Sequence, residues 1–130
     1  MLINDKEYLI KLNGETFHCA LDVTMRFIGG KWKTVVLWYL RKGPMRFSEL
    51  RKRIPQITEK MLSLQLRELE QDGIISRTVY AEVPPRVEYA FTEQGASLIQ
   101  VVEALAHWGR EKSRAEGEVI EAEKRKVKQK

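Results

Sequence analysis

Ile54-Pro55-Gln56-Ile57-Thr58-Glu59-Lys60-Met61-Leu62-Ser63-Leu64-Gln65-Leu66-Arg67-Glu68-Leu69-Glu70-Gln71-Asp72-Gly73 decides how this chain is read. Pro55 is sterically hostile to helical geometry in Ile54, so the chain must turn there. Thr58 suits an N-cap, and Glu59 in the first turn complements the helix dipole. Leu62, Leu66 and Leu69 then share one helical face, and Asp72-Gly73 ends the helix, glycine supplying the left-handed residue beyond its last turn. With those leucines inward, Lys60, Ser63, Leu64, Arg67 and Gln71 point outward. A leucine at 64 is unusual on a purely solvated surface.

Upstream, Phe47 to Ile54 predicts a second short helix with Ser48 as its cap, and Gly43-Pro44 stops whatever precedes it. Trp32, Val35, Val36, Tyr39 and Leu40 recur at helical spacing. Leu37 and Trp38 lie off that stripe, so a helix over 31–42 is apolar over most of its circumference. Such a helix is central to the fold or covered by another subunit. Ala20 to Ile28 predicts a further short helix, ended by Gly29-Gly30. Tyr8 to Leu12, Asn13-Gly14 and Thr16-Phe17 suggest a hairpin.

Downstream, Ile74 to Ala81 and Arg86 to Phe91 are rich in β-branched and aromatic residues and flank Pro84-Pro85, which predicts a hairpin. Thr92 then caps a long helix with Leu98, Val101, Val102, Leu105 and Trp108 on its apolar stripe. After Arg110 the chain is highly charged and reads as a frayed helical tail. The expected organisation is an arm at 1–18, a main unit at 19–112 and a charged tail at 113–130.

Helix, short helix, tight turn, helix, β-hairpin, long helix is the order of a winged helix-turn-helix, mainly α with a small β wing (α+β); the long stripe on 92–112 and the over-apolar helix 31–42 are consistent with a dimer interface. Its chemistry follows from shape, because an α-helix fits the major groove of B-form DNA, where base edges carry a readable donor and acceptor code. Ser63 and Arg67 suit base edges, Lys60 suits phosphate or guanine, and Leu64 suits a thymine methyl. Thr58 and the free N–H groups of its helix start suit phosphate. Arg46, Arg51, Lys52 and Arg53 suit backbone contacts that position without reading sequence. Arg86, beside the prolines, is a candidate for a minor groove or a phosphate. The bland alternative is a three-helix core with a solvated polar face and a solvated tip arginine.

Charge supports a polyanion partner. Ten basic residues from Lys31 to Arg67 are opposed only by Glu49 and Glu59, while the rest of the chain is net acidic. The 130 residues, 43% of them hydrophobic, suit one modest core that a partner subunit would help bury. The longest apolar run, Val35 to Leu40, is far too short to cross a bilayer. Without a secretory pattern at the N-terminus, and with one cysteine, the expectation is a cytoplasmic protein without disulfides. Gly29-Gly30-Lys31 is not a phosphate loop, since Met25 and Trp32 stand where glycine and a hydroxyl residue are needed. His18 and His107 are isolated, so no metal is expected. No catalytic pairing stands out: neither an enzyme nor a cofactor is expected.

Several blocks together resemble one family. Ile28-Gly29-Gly30-Lys31-Trp32-Lys33, Arg46-Phe47-Ser48-Glu49-Leu50-Arg51, the stretch Ile54 to Leu62, Leu66 to Gly73, and Val83-Pro84-Pro85-Arg86-Val87-Glu88-Tyr89 are similar to the HxlR family of winged helix regulators, in family order from Cys19 to about Glu111. The resemblance implies a repressor or activator of transcription, dimeric through its terminal helices, with 58–72 as recognition helix. It makes Trp38, Leu98, Val102, Leu105 and Trp108 the expected dimer residues, and would set two recognition helices about one DNA turn apart. Some family members sense oxidants or electrophiles through a cysteine near position 19. Cys19 is therefore a candidate redox sensor, although Ala20 replaces the proline that often follows; a small-molecule effector is the other candidate signal. Two rival functions share the fold: a protein-interaction module, and a nonspecific nucleic-acid binder. A large specificity ratio would separate the regulator from the second.

Overall fold

Two tight turns open the chain, whose computed structural model describes residues 1–122. Strands β1 (Leu2–Ile3) and β2 (Lys6–Glu7) pair across Asn4-Asp5, and β3 (Ile10–Leu12) and β4 (Glu15–Phe17) pair across Asn13-Gly14. In both turns the two central residues have positive φ, which a two-residue type I′ hairpin requires and which Asn, Asp and Gly tolerate. The second hairpin is the expected one. The first was not foreseen, because strands of two residues leave no periodicity. Phe17 is buried, and Arg26 of the next helix reaches Glu15 at 3.7 Å.

Helix α1 (Ala20–Ile28) stops at Gly29, where any Cβ would lie 2.3 Å from the Met25 carbonyl oxygen. Helix α2 (Lys33–Leu40) is shorter than the expected 31–42 and buries Val36, Leu37 and Leu40, while Trp32, Val35 and Tyr39 are only half-buried. Of the expected stripe, Val36 and Leu40 are buried and Trp32, Val35 and Tyr39 pack against the core. Leu37, from outside the stripe, is buried as well: in so short and uniformly apolar a helix, spacing does not select one face. Lys33 also turns inward and pairs with Glu68 at 2.8 Å.

Strand β5 (Met45–Arg46) leads into α3 (Phe47–Arg53). The cap of α3 is Arg46 rather than Ser48, and the Glu49 carboxylate accepts the Arg46 N–H at 3.0 Å. Ile54 and Ile57 bury the turn into α4 (Glu59–Gln71). The Thr58 hydroxyl accepts the Met61 N–H at 3.1 Å, as its residue type predicts. Leu62, Leu66 and Leu69 are wholly buried, each worth about 1.5–3 kcal/mol by transfer. At the other end Gly73 takes φ +74°, and the N–H groups of Ile74 and Gly73 donate to the carbonyls of Leu69 and Glu70, both at 3.0 Å. Those two bonds satisfy the last carbonyls in the Schellman arrangement.

Strands β6 (Ile75–Tyr80) and β7 (Arg86–Phe91) form the wing, paired from Ile75↔Phe91 to Tyr80↔Arg86. The sheet has three strands, in the order β5-β7-β6, rather than the expected two. Thr92 begins the approach to the long helix but does not cap it. Its hydroxyl donates to the Gly73 carbonyl at 2.6 Å and accepts the Gly95 N–H at 2.9 Å, so it ties a 3-10 turn (Gly95–Leu98) to the end of α4. The long helix α5 (Ile99–Glu116) starts only after that turn and adds Val102 to the common core. Residues 117–122 carry no helix, against the expected helical tail, and 123–130 lie outside the described residues.

Candidate nucleic-acid interface

Burying three leucines at i, i+4 and i+7 turns the opposite face of α4 to solvent. Thr58, Lys60, Leu64 and Arg67 are exposed, Leu64 at 41%. Neither Lys60 nor Arg67 has a carboxylate within 4.0 Å among the described residues. The amides of Glu59 and Lys60 precede the first intrahelical bonds, so the helix start presents donors and the positive end of its dipole beside Thr58. A cation, a hydroxyl, a methyl-bearing side chain and free amides thus occupy one solvent face.

Ser63 is half-buried rather than fully outward. It lines a cleft of about 210 Å³ with Phe47, Arg67, Glu70, Arg77 and Tyr89. Arg77 and Tyr89 are cross-strand partners in the wing, so the base of the sheet abuts the outward side of α4. Sequence reasoning missed Arg77. Its register opposite Tyr89 was available from pairing the two β runs, but the closeness of that pair to Arg67 was not.

The other cations divide into free and engaged. Arg46 is exposed at the start of α3. Arg51 lies 3.6 Å from Glu59. Lys33 is buried, so the charge excess of 31–67 overstates what faces solvent. Arg86 does not stand free at the wing tip: its guanidinium contacts Glu82 at 3.3 Å and Glu88 at 3.5 Å and lies over the Tyr80 ring at 4.0 Å. The tip itself is Val83, fully exposed, with the two prolines.

The five expected dimer residues are also divided. Val102 belongs to the chain's own core, and Leu98 and Trp38 pack against it. Leu105 and Trp108 are exposed, at 52% and 68%. Cys19 is half-exposed at the N-cap of α1. Arg26, held by Asp72 at 3.3 Å and pushed further above its already high pKa by that carboxylate, joins α1 to the end of α4. No helix of the described residues is long and apolar enough to cross a membrane.

Comparison with known proteins agrees with this architecture. The HxlR-like helix-turn-helix family matches residues 27–116. An uncharacterized HTH-type transcriptional regulator from Methanothermobacter thermautotrophicus is 50% identical over 108 residues, covering 83% of this chain and 76% of that protein. The uncharacterized HTH-type transcriptional regulator YkvN of Bacillus subtilis is 51% identical over 105 residues, covering 78% of this chain and 89% of its own. Among solved structures, the redox regulator HypR in its oxidized form is similar at a TM-score of 0.70 and 47% identity, covering 72% of this chain and 96% of that one. A buried turn between α3 and α4, a wing built on β6 and β7, and a match through both lead to one conclusion: the chain belongs to the HxlR-like helix-turn-helix family of transcriptional regulators.

Proposed function

We propose that the chain is a sequence-specific regulator that binds double-stranded DNA as a homodimer in the cytoplasm, with α4 in the major groove. The carrying observation is the uncommitted outer face of α4, where Lys60 and Arg67 have no carboxylate partner and Leu64 is exposed. Arg67 and Ser63 read base edges, Leu64 meets a thymine methyl, and Lys60, Thr58 and Arg46 hold phosphates. Arg51 and Arg86 are secondary backbone contacts, because each must first leave a carboxylate. The wing lies on the flanking backbone or minor groove. Residues 19–112 form the DNA-binding and dimerisation unit, 1–18 an accessory arm and 113–130 a charged tail. Exposed Leu105 and Trp108 support a subunit face on α5, beside which Trp38, Leu98 and Val102 act as support from within.

Fluorescence anisotropy on duplexes tiled across the gene's own upstream region, with excess unrelated DNA and a salt series, tests the reading. One tile should bind selectively, and Arg67→Ala and Ser63→Asp should lose that preference while remaining folded. Uniform binding to every tile, and to sites from a genome-wide selection, would sink it in favour of a nonspecific binder.

A thiol signal is a second reading, favoured by the likeness to a redox regulator and by the half-exposed position of Cys19 at a helix start. Diamide or a quinone should then change DNA affinity in the wild type and leave Cys19→Ser unaffected. An unchanged affinity, with Cys19 still reactive to an alkylating reagent, would remove this reading.

A further inference from the structure

Trp38 and Tyr39 of α2 line two cavities at once. One is an apolar groove of about 310 Å³ between α2 and α5, walled by Val35, Val102, Leu105 and Ala106. The other is a bowl of about 410 Å³ at the turn after α2, edged by Arg41, Lys42 and Arg53 with one carboxylate, Glu49. Glu49 is already engaged by the Arg46 N–H. Among the described residues, neither these three cations nor Arg110 has a carboxylate within 4.0 Å. The Arg41 guanidinium lies 3.5 Å from the centroid of the Trp38 ring, and that of Arg110 lies 6.0 Å away.

We infer that these adjoining cavities, which share Trp38 and Tyr39 as a common wall, bind an amphipathic organic anion, its apolar or aromatic body in the α2–α5 groove and its carboxylate-like head among Arg41, Lys42 and Arg53. The size suits a small ligand, the walls reward burial of a hydrocarbon or ring, and guanidinium groups hold carboxylates and phosphates through paired, charge-assisted bonds. A neutral ligand would forgo the attraction of the three cations, which outnumber Glu49 in the bowl. A second copy of this chain would suit the apolar groove but not the cationic bowl, because the core of a subunit interface is depleted in charge. Occupancy would act on DNA binding from two sides: α2 runs through Gly43-Pro44 into α3, and Leu105 also lies on the proposed subunit face. That regulatory clause rests on the proposed function, whereas the binding site itself does not.

Titration calorimetry on the full chain without DNA, using 2-naphthoate and its neutral analogue 2-naphthamide as probes, tests the site. Naphthoate should saturate one site per chain. Arg41→Gln with Lys42→Gln, both at the cavity rim, should weaken naphthoate at least tenfold and naphthamide less than twofold. Ala106→Trp, which fills the groove, should abolish both, with circular dichroism confirming the fold. Naphthoate binding that ignores both variants, or its absence at millimolar concentration, overturns the site. So does an Ala106→Trp variant that changes oligomeric state while the wild type binds no probe, which would make the groove an interface between copies. Anisotropy with the selected duplex then reads regulation. A shift in DNA affinity on adding naphthoate, absent from the charge variant, supports it; bound naphthoate with unchanged affinity overturns the regulatory clause alone. Failure of specific DNA binding by the free protein would overturn the regulator reading and leave the ligand site standing.

Discussion

Arg67 on α4 and Arg86 at the base of the wing tip carry the same guanidinium, and both belong to the proposed DNA-binding surface. Their surroundings differ. Arg67 is exposed and shares a cleft with Glu70 without pairing to any carboxylate within 4.0 Å among the described residues, whereas Arg86 touches Glu82 and Glu88 and covers the Tyr80 ring. A phosphate approaching Arg67 meets a cation that no ion pair holds. One approaching Arg86 must compete with two carboxylates already in place and is repelled by them. Position on a groove-facing element therefore makes an arginine a candidate, and its existing partners decide how much it can contribute. The same distinction separates Lys60 from Lys33, which is buried against Glu68.

The largest effect should come from removing what holds α4 in place. Leu66→Ala should lower stability by about 2–5 kcal/mol in chemical denaturation, since Leu66 is wholly buried. An unchanged midpoint would break the assignment of the inner and outer faces of α4. Arg67→Ala should cost about 1–3 kcal/mol of affinity for a selected site in anisotropy titrations and relax its preference at one base position. If Arg86→Ala costs more than that, the contrast between the two arginines fails. Thr58→Ala should destabilise by about 1 kcal/mol in thermal or urea melts through the lost bond to Met61. The smallest effect sharpens the comparison directly. Glu82→Gln with Glu88→Gln frees Arg86, so DNA affinity should rise and the salt dependence steepen by about 0.9 in log–log slope, one added phosphate contact. A slope identical to wild type would mean that the wing tip never reaches the backbone.

Much of this was legible because it is local. Thr58, Gly73 and the three leucines act within one helix, and Asn13-Gly14 within one turn, so residue type and spacing suffice. The end of α4 illustrates the limit. Gly73 was readable as a helix terminator, but Thr92 bonding back to the Gly73 carbonyl was not, and that contact delays α5 until Ile99. Strand β5 has two residues and exists only because β7 offers it an edge through Met45↔Tyr89. Arg77 enters the α4 cleft for the same kind of reason: its neighbours come from distant elements.

By itself, then, the amino-acid order determined the succession of helices and wing, the face of α4 that turns outward and the family to which the chain belongs. Periodicity, caps and turn residues are short-range constraints that survive without knowledge of the fold. Only the tertiary structure decided which cations are free. An ion pair such as Lys33–Glu68 is formed across 35 positions of sequence, and nothing in either residue's local pattern announces it. Likewise α2 is apolar on so many sides that spacing could not choose its core face. Packing against α5, β7 and α3 chose it, burying Leu37 and leaving Trp38 and Tyr39 to line the two adjoining cavities.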